Sequence, residues 1–288
     1  MDRPTLILLV GIPGSGKTTY AESYIEDHPC TIHLSSDKIR KELWGDEAIQ
    51  GDNNEVFSLM QSRAIEALNN GQSVVYDATN ITRKDRSYII SICPKFAKIE
   101  CHIIWAPIEI CIKRDAERER TVGKAVIDKM LKKFQAPYYD EGIDEIKIIK
   151  QNFNSFKYND DVFSNMNIPH DNPHHTLNIK DHCMEAFKYI CSLDDSDIII
   201  AALYHDIGKP YVKAFVDSKG NPCDIAHYYQ HQCVGAWMSY GMKHINADIA
   251  WLISTHMDVY LNTKYYNKLP TYLKQQVNLL HEADKSAH

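Results

Sequence analysis

Two groups of residues in this chain have types and spacings suited to chemistry on phosphate. The first is Gly11-Ile12-Pro13-Gly14-Ser15-Gly16-Lys17-Thr18, which fits the pattern G-x-x-x-x-G-K-[ST]. It follows the apolar run Thr5–Val10 and opens the stretch Lys17–Asp27, so it reads as a loop between a buried strand and a helix. Glycines let backbone N–H groups converge on phosphate oxygens, and a helix N-terminus adds positive partial charge. Gly11, Gly14, Ser15, Gly16, Lys17, Thr18 and Thr19 are expected to bind ATP, or another NTP, with Mg²⁺. Lys17 would reach the β- and γ-phosphates, and Thr18 would hold the metal.

Three further segments bear on what receives the phosphate. Asp37 and Arg40 follow the short strand Thr31–Leu34, where a parallel sheet borders its ligand crevice. Asp37 can accept the proton of an attacking hydroxyl, and Arg40, about one helical turn on, can face the same cleft. Equally, Asp37 can cap the next helix. Asp77 ends the strand Ser73–Tyr76 and is placed to support Mg²⁺ or to orient water. Thr79 and Asn80 beside it read as site residues or as turn residues. Last comes Arg114-Asp115-Ala116-Glu117-Arg118-Glu119-Arg120, followed by Thr121-Val122-Gly123-Lys124. With a helix over Pro107–Arg118, Arg114 and Arg118 share a face, and Arg120 precedes a flexible glycine. The segment can close as a lid that sets an arginine on the transferred group, or it is a solvated helix with internal ion pairs.

The second group is built on histidine. Of 14 histidines, His28, His33 and His102 precede residue 150, and the other 11 fall from His170 onward. His205 and Asp206 end the apolar run Ile198–Leu203, which puts an imidazole and a carboxylate at one point. Such a pair suits a divalent metal such as Mn, Ni, Co, Fe or Mg. Lys209 adds a positive charge nearby. His182 lies on a predicted helix over Asp181–Leu193, His227 and His231 are four apart on one over Ile225–Tyr240, and His256 follows an apolar stretch. Asp284, with His281 three residues before it, ends the last helix. Singly, each histidine is more often a packing or surface residue than a ligand.

The elements that must position these groups differ between the halves. Strands at Thr5–Val10, Thr31–Leu34, Ser73–Tyr76, Lys98–Trp105 and Ile146–Ile149 alternate with helices at Lys17–Asp27, Asn53–Asn70, Arg83–Ile92 and Pro107–Arg118. Alternation of this kind predicts a parallel sheet covered by helices, an α/β domain. Gln151–Pro173, rich in Asn, Asp, Ser and Pro, reads as a linker or an irregular entry segment. Beyond it the strand signal mostly vanishes. Helices are predicted at Asp181–Leu193, Asp197–Tyr204, Ile225–Tyr240, Ala247–Met257 and Thr271–Ser286, an all-α domain. The division is expected at residues 1–158 and 159–288. With 32 basic and 38 acidic residues the formal charge is −6, so any nucleic-acid contact needs a local basic patch. No apolar run is long enough to cross a bilayer, and Leu6–Val10 is too short for a signal peptide, so the chain is expected in the cytoplasm with no membrane partner. The 8 cysteines show no CxxC pairing and read as reduced structural thiols.

Taken together, GIPGSGKTT, SSDKIR, YDATN and RDAERERTVGKAV resemble the phage-type 5′-hydroxyl polynucleotide kinases over roughly residues 5 to 137. The resemblance implies Asp37 as general base on the 5′-OH, Arg40 on the acceptor's 3′-phosphate and Arg120 as lid arginine. Here one extra residue separates Arg120 from the Lys-Ala-Val after Gly123, which keeps Arg118, otherwise expected at the nucleotide, in contention as the lid arginine. The series His174-His175-Thr176-Leu177, His182, AALYHDIGKP, AHYYQHQCVGA and HEAD is similar to the HD-superfamily phosphohydrolases, notably the HD domain of bacterial CCA-adding tRNA enzymes. That resemblance implies His182, His205, Asp206 and Asp284 as core metal ligands. It gives His231 and His256 a second metal or the phosphate, with His227 and His175 as weaker phosphate contacts.

The combined expectation is a bifunctional enzyme that heals nucleic-acid ends, with RNA favoured over DNA. It would phosphorylate a 5′-OH and remove a 2′,3′-cyclic phosphate or a 2′- or 3′-phosphate, leaving ends for a separate ligase. One alternative is a nucleoside or nucleotide kinase fused to a nucleotidase. Another is a nucleotide-sensing P-loop module that gates an HD hydrolase, which leaves Asp37 and Arg40 without a role.

Overall fold

The computed structural model describes residues 3–47, 49, 51–150, 155–173 and 176–287. The chain separates into two compact units, one of residues 1–130 with 137–151 and one of residues 131–136 with 152–288. The boundary expected at 158/159 falls inside a helix of the second unit, Ser155–Asn165, so this part of the expected linker is ordered as helix. Residues 151–154 lie outside the described residues.

The first unit holds five parallel strands, β1 (Thr5–Val10), β2 (Ile32–Ser35), β3 (Val74–Asp77), β4 (Lys98–Trp105) and β5 (Glu145–Lys150), in the order β2-β3-β1-β4-β5. Leu6 to Val10 and Val74 to Asp77 are buried throughout, as strands covered on both faces must be. Leu8 stands opposite Tyr76 on one side and Cys101 on the other. From β1 the chain runs to β2 and β3 on one side, then crosses to β4 on the other. The C-terminal end of β1 is therefore the switch point where α/β sheets open a ligand crevice. The helices are α1 (Lys17–Asp27), α2 (Ser36–Trp44), α3 (Asn53–Asn69), α4 (Arg83–Ile92), α5 (Ile108–Ala116) and α6 (Lys124–Leu131). The helix expected over Pro107–Arg118 stops at Ala116, so Arg118 lies beyond it and shares no helical face with Arg114.

The second unit is mostly helical: α7 (Ser155–Asn165), α8 (Ile179–Ile190), α9 (Ser196–Tyr204), α10 (Lys209–Val212), α11 (His231–Ser239), α12 (Ala247–Thr255), α13 (Asp258–Leu261), α14 (Thr263–Tyr266) and α15 (Thr271–Ser286). In α12 every residue but Asp248 is buried, the condition of a helix that is apolar all round. α8, α9, α12 and α15 pack around one another. Residues 131–136 join this core: Phe134 meets Trp237 edge-on at 5.4 Å, and Ala136 N–H donates to Ser254 Oγ at 3.3 Å. A two-stranded antiparallel hairpin, β6 (Ala214–Val216) and β7 (Pro222–His227), occupies the start of the helix expected over Ile225–Tyr240. Consequently His227 ends a strand and His231 begins α11, and the two share no helical face. Among the described residues no helix is long and apolar enough to cross a membrane.

Candidate functional site

The first unit brings its phosphate-handling residues together. β1 delivers Gly11, whose N–H donates to Thr79 O at 3.1 Å. Gly14 has φ +79°, and a Cβ there would lie 2.1 Å from Cys111 O, so only glycine fits. Gly16 caps α1 in the left-handed region. The Lys17 ammonium donates to Gly11 O at 2.9 Å and Ile12 O at 3.1 Å, curling over the loop. Burial lowers its pKa, Asp77 offsets part of that, and the charge of Arg118 lowers it further. Thr18 Oγ1 donates to buried Asp77 Oδ2 at 3.1 Å, so hydroxyl and carboxylate converge as Mg²⁺ ligands require. His33 Nε2 also reaches Asp77 Oδ2 at 3.2 Å. Buried Ser15 lies within the loop, and Thr19 is exposed on α1.

The residues expected to meet the acceptor converge at Asp37. Its Oδ1 accepts from Arg40 Nη1 at 2.9 Å and from Arg120 Nη1 at 3.2 Å, and Arg40 Nη2 donates to Asn53 Oδ1 at 3.0 Å. Ser35, not Asp37, is the N-cap of α2, its hydroxyl accepting from Lys38 N–H at 3.5 Å. Asp37 is thus free of the capping role and about half exposed. Asn80 is structural: at φ 46° it donates Nδ2 to Leu9 O at 2.8 Å and fixes the end of β1.

Asp115 is a positioning residue that the sequence reading passed over. It is buried and accepts the N–H groups of Val122, at 3.1 Å, and Gly123, at 2.8 Å. These bonds close residues 116–123 into a loop that carries Arg118 and Arg120. A buried carboxylate in the run RDAERER is indistinguishable by type from its solvated neighbours. His33 and the ion pair between fully buried Arg86 and Glu141, at 2.7 Å, were equally unmarked.

In the second unit the expected ligands converge. His182 comes from α8, His205 and Asp206 from the end of α9, His231 from the start of α11, His256 from the end of α12 and Asp284 from α15. His182 Nε2 lies 3.2 Å from His205 Nε2, 2.9 Å from Asp284 Oδ1 and 3.4 Å from Asp206 Oδ2. His231 Nε2 lies 3.1 Å from His256 Nε2 and 3.2 Å from Asp206 Oδ1. Asp206 therefore bridges two donor sets, His182–His205–Asp206–Asp284 and Asp206–His231–His256, each spanning no more than 4.8 Å.

A common device orients the four imidazoles. Each Nδ1 lies on a backbone carbonyl: His182 on Ala287 at 2.7 Å, His205 on Ala202 at 2.8 Å, His231 on Tyr228 at 2.9 Å and His256 on Ile253 at 2.8 Å. A carbonyl only accepts, so Nδ1 carries the proton and the Nε2 lone pair points inward. Inward lone pairs this close are stable only around positive charge. The donor set, nitrogen and carboxylate oxygen, fits a divalent transition metal. The electrostatics agree. Burial opposes a charge on His205, yet Asp206, Cys183 and Asp284 raise its pKa well above 6.5. Burial likewise opposes ionised Asp206, but Lys209 and His205 hold its carboxyl well below the usual range. Burial, with the charges of His231 and His205, pushes His256 down to about 3.

Lys209 approaches Asp206 Oδ2 at 2.6 Å and His170 Nε2 at 3.3 Å. His170, unmarked in the sequence, is buried, with Nδ1 on Leu177 O at 2.8 Å. Gly208 permits the placement of Lys209: a Cβ there would lie 2.1 Å from His231 O, so its absence lets the start of α10 pack closely against α11. His227 stays outside the cluster, stacked on Tyr229, and His281 pairs with the Tyr260 hydroxyl at 2.8 Å. His174 and His175 lie outside the described residues.

Comparison with known proteins matches each half separately. Residues 6–137 match the family model described as AAA domain, and residues 174–287 match the HD domain. The chain is 26% identical over 149 residues to transcription factor bHLH140 of Arabidopsis thaliana, covering 49% of this chain and 15% of that protein. It is 30% identical over 142 residues to the L-seryl-tRNA(Sec) kinase of Methanococcus maripaludis, covering 46% and 53%. To the bifunctional polynucleotide phosphatase/kinase of Schizosaccharomyces pombe it is 27% identical over 152 residues, covering 51% and 33%. The chain thus spans between 15% and 53% of the lengths of these curated relatives. A chain of the solved Pnkp1/Rnl/Hen1 RNA repair complex is 25% identical, with 45% of this chain and 43% of that one covered and a TM-score of 0.41. The protein carries a P-loop AAA domain followed by an HD domain.

Proposed function

We propose that the chain heals nucleic-acid ends, RNA in preference to DNA, by phosphorylating 5′-hydroxyls and removing 2′,3′-cyclic, 2′- or 3′-phosphates. The observation that carries the kinase half is the convergence of Arg40 and Arg120 on one oxygen of Asp37, beside the phosphate loop. A module that only senses nucleotide has no use for this cluster. Asp37 takes the proton of the 5′-OH as its oxygen attacks the γ-phosphorus, and the bond to the β-phosphate oxygen breaks. Arg40 then turns to the acceptor's phosphate, and Arg120 and Lys17 neutralise charge gathering on the transferred group. The exposure of Asp37 suits an acceptor that is the end of a polymer. The likeness to a bifunctional polynucleotide phosphatase/kinase favours the same class of acceptor.

In the HD centre, His182, His205, Asp206 and Asp284 would hold one divalent cation, and Asp206, His231 and His256 a second. When bound, such ions supply charge that acidifies water and polarises a phosphoryl group. Lys209, fixed between Asp206 and His170, binds a phosphate oxygen at the rim of the cluster. The healed ends would pass to a separate ligase.

The test is phosphate transfer from radiolabelled ATP to 5′-OH oligonucleotides, free nucleosides and no acceptor. The reading expects transfer to the oligonucleotide. It also expects Asp37→Asn to lose at least about 10²-fold in rate while still binding ATP. Equal transfer to free nucleosides would refute the polymer acceptor.

A further inference from the structure

The HD centre has an aromatic neighbour that neither metal set uses. His227 and Tyr229 stack with ring planes 6° apart and centroids at 5.2 Å, and Tyr229 is 41% exposed. Tyr229 precedes the ligand His231 by two residues, so their Cα atoms are at most about 7 Å apart. Between them Gln230 holds φ 63°, a left-handed conformation that a non-glycine side chain rarely adopts. The chain there reverses between an exposed ring and a buried ligand.

The segment is fastened on both sides. Ala226 N–H donates to Asp171 O at 2.9 Å, and Asn172 Nδ2 donates to Ala226 O at 3.2 Å. The Tyr228 hydroxyl donates to His170 O, and Lys209 Nζ lies 5.4 Å from the centre of the Tyr228 ring. The same residues that fix Lys209 thus fix the strand end from which the stacked pair projects. Two flat, parallel rings on a rigid segment, one facing solvent, present a π-face to a third flat ring. A nucleobase has that shape, and every base offers it regardless of sequence.

We propose that the His227–Tyr229 pair is a stacking platform for the last base of a single-stranded nucleic acid whose terminal phosphate lies at the HD centre. This rests on reading that centre as a phosphohydrolase of nucleic-acid ends. The platform supplies recognition of a base beside the phosphate, which the metal ligands cannot supply. Stacking of this kind corresponds to about 5- to 150-fold in affinity per base. Neither ring touches the reacting atoms, so its loss acts on binding and leaves turnover of bound substrate nearly unchanged.

The experiment uses the full chain and a 3′-phosphorylated single-stranded oligoribonucleotide ending in fluorescent 2-aminopurine, beside a matched one with an abasic last position. Binding is read by fluorescence for the first and by competition for the second, and phosphate release is measured in parallel. Wild type is expected to bind the base-ended strand tightly and quench it. Tyr229→Ala should weaken binding at least about fivefold and lose the quench, and Tyr229→Trp should keep both. The abasic strand should bind both proteins weakly and equally. Equal binding of the base-ended strand by wild type and Tyr229→Ala overturns the platform, even if both release phosphate. Quenching that depends on Tyr229 with no phosphate release upholds the platform and refutes the hydrolase reading instead. An equal fold-loss on the abasic strand shows that Tyr229 serves the fold, and overturns the proposal.

Discussion

Phe134 falls within the residues that match the AAA domain, yet its ring belongs to the core of the helical unit. It is fully buried, edge-on to Trp237 at 5.4 Å and to Tyr240 at 6.1 Å. Phe134→Ala removes a whole ring from between two large side chains that are themselves fully buried and cannot collapse into the space. A truncation of this kind costs about 3–5 kcal/mol, the aromatic edge contacts included. At roughly 4 °C per kcal/mol for a unit of this size, the melting temperature of the helical unit should fall by about 10–20 °C. The same arithmetic applies to a cut. A fragment of residues 152–288 lacks Phe134 and should melt well below a fragment of residues 131–288, which keeps it. Thermal unfolding followed by near-UV circular dichroism, on both fragments and on the point variant, measures the difference. Equal melting temperatures for the two fragments would refute the assignment of residues 131–136 to this core.

The remaining predictions concern the two centres. Gly208→Ala forces a Cβ to within 2.1 Å of His231 O and 2.6 Å of Gly235 N, both backbone atoms, so α10 and α11 must part. Metal content should drop and phosphate release should fall about 5- to 150-fold, the equivalent of an overpacking cost of about 1–3 kcal/mol, with 5′-phosphorylation retained. His205→Ala should abolish phosphate release and spare the kinase, and Lys17→Ala should do the reverse, because neither side chain contributes to the other centre; both rates and the circular dichroism spectrum decide. In the metal-free chain, buried His256 and His170 have pKa values lowered from 6.5 to about 3 and about 4, chiefly by burial. Both take up a proton more readily when unfolded, so their contribution to stability is full above pH 6.5 and is lost progressively as pH falls from 6.5 to their folded values; urea unfolding with chelator at pH 7 and pH 5 should show part of the loss.

The α/β unit was legible because its signals are local. Each strand lies within a residue or so of its expected place, and the central ones, β1 and β3, are short, mostly apolar runs of the kind that a strand buried on both faces requires. The phosphate loop is legible for the same reason: its glycines, lysine and threonine act through a backbone shape confined to eight residues. What stayed hidden there depends on contacts across the sequence. Asp115 matters because it accepts N–H groups seven and eight residues on, and Arg86 because it meets Glu141 fifty-five residues away. Neither partner is marked by its type.

The helical unit shows the opposite balance. The cluster was legible as a set, because six His and Asp residues on apolar helices, five of them buried, converge in two groups that could each hold a cation. Their surroundings were not. The helix expected from Ile225 is a strand as far as His227, and Asp217-Ser218-Lys219-Gly220-Asn221 was the available sign. Asp217 Oδ1 accepts the N–H groups of Lys219 and Asn221, at 2.8 and 2.9 Å, and Gly220 sits at φ +87°, which makes this a hairpin turn. Reading through it placed His227 and His231 on one helical face. Their four-residue spacing instead spans a strand end, a left-handed Gln230 and a helix start. That break sends His231 into the cluster while Tyr229 stays in solvent. The same irregular turn thus separates a buried imidazole of the His/Asp cluster from the exposed ring on which the proposed base platform rests.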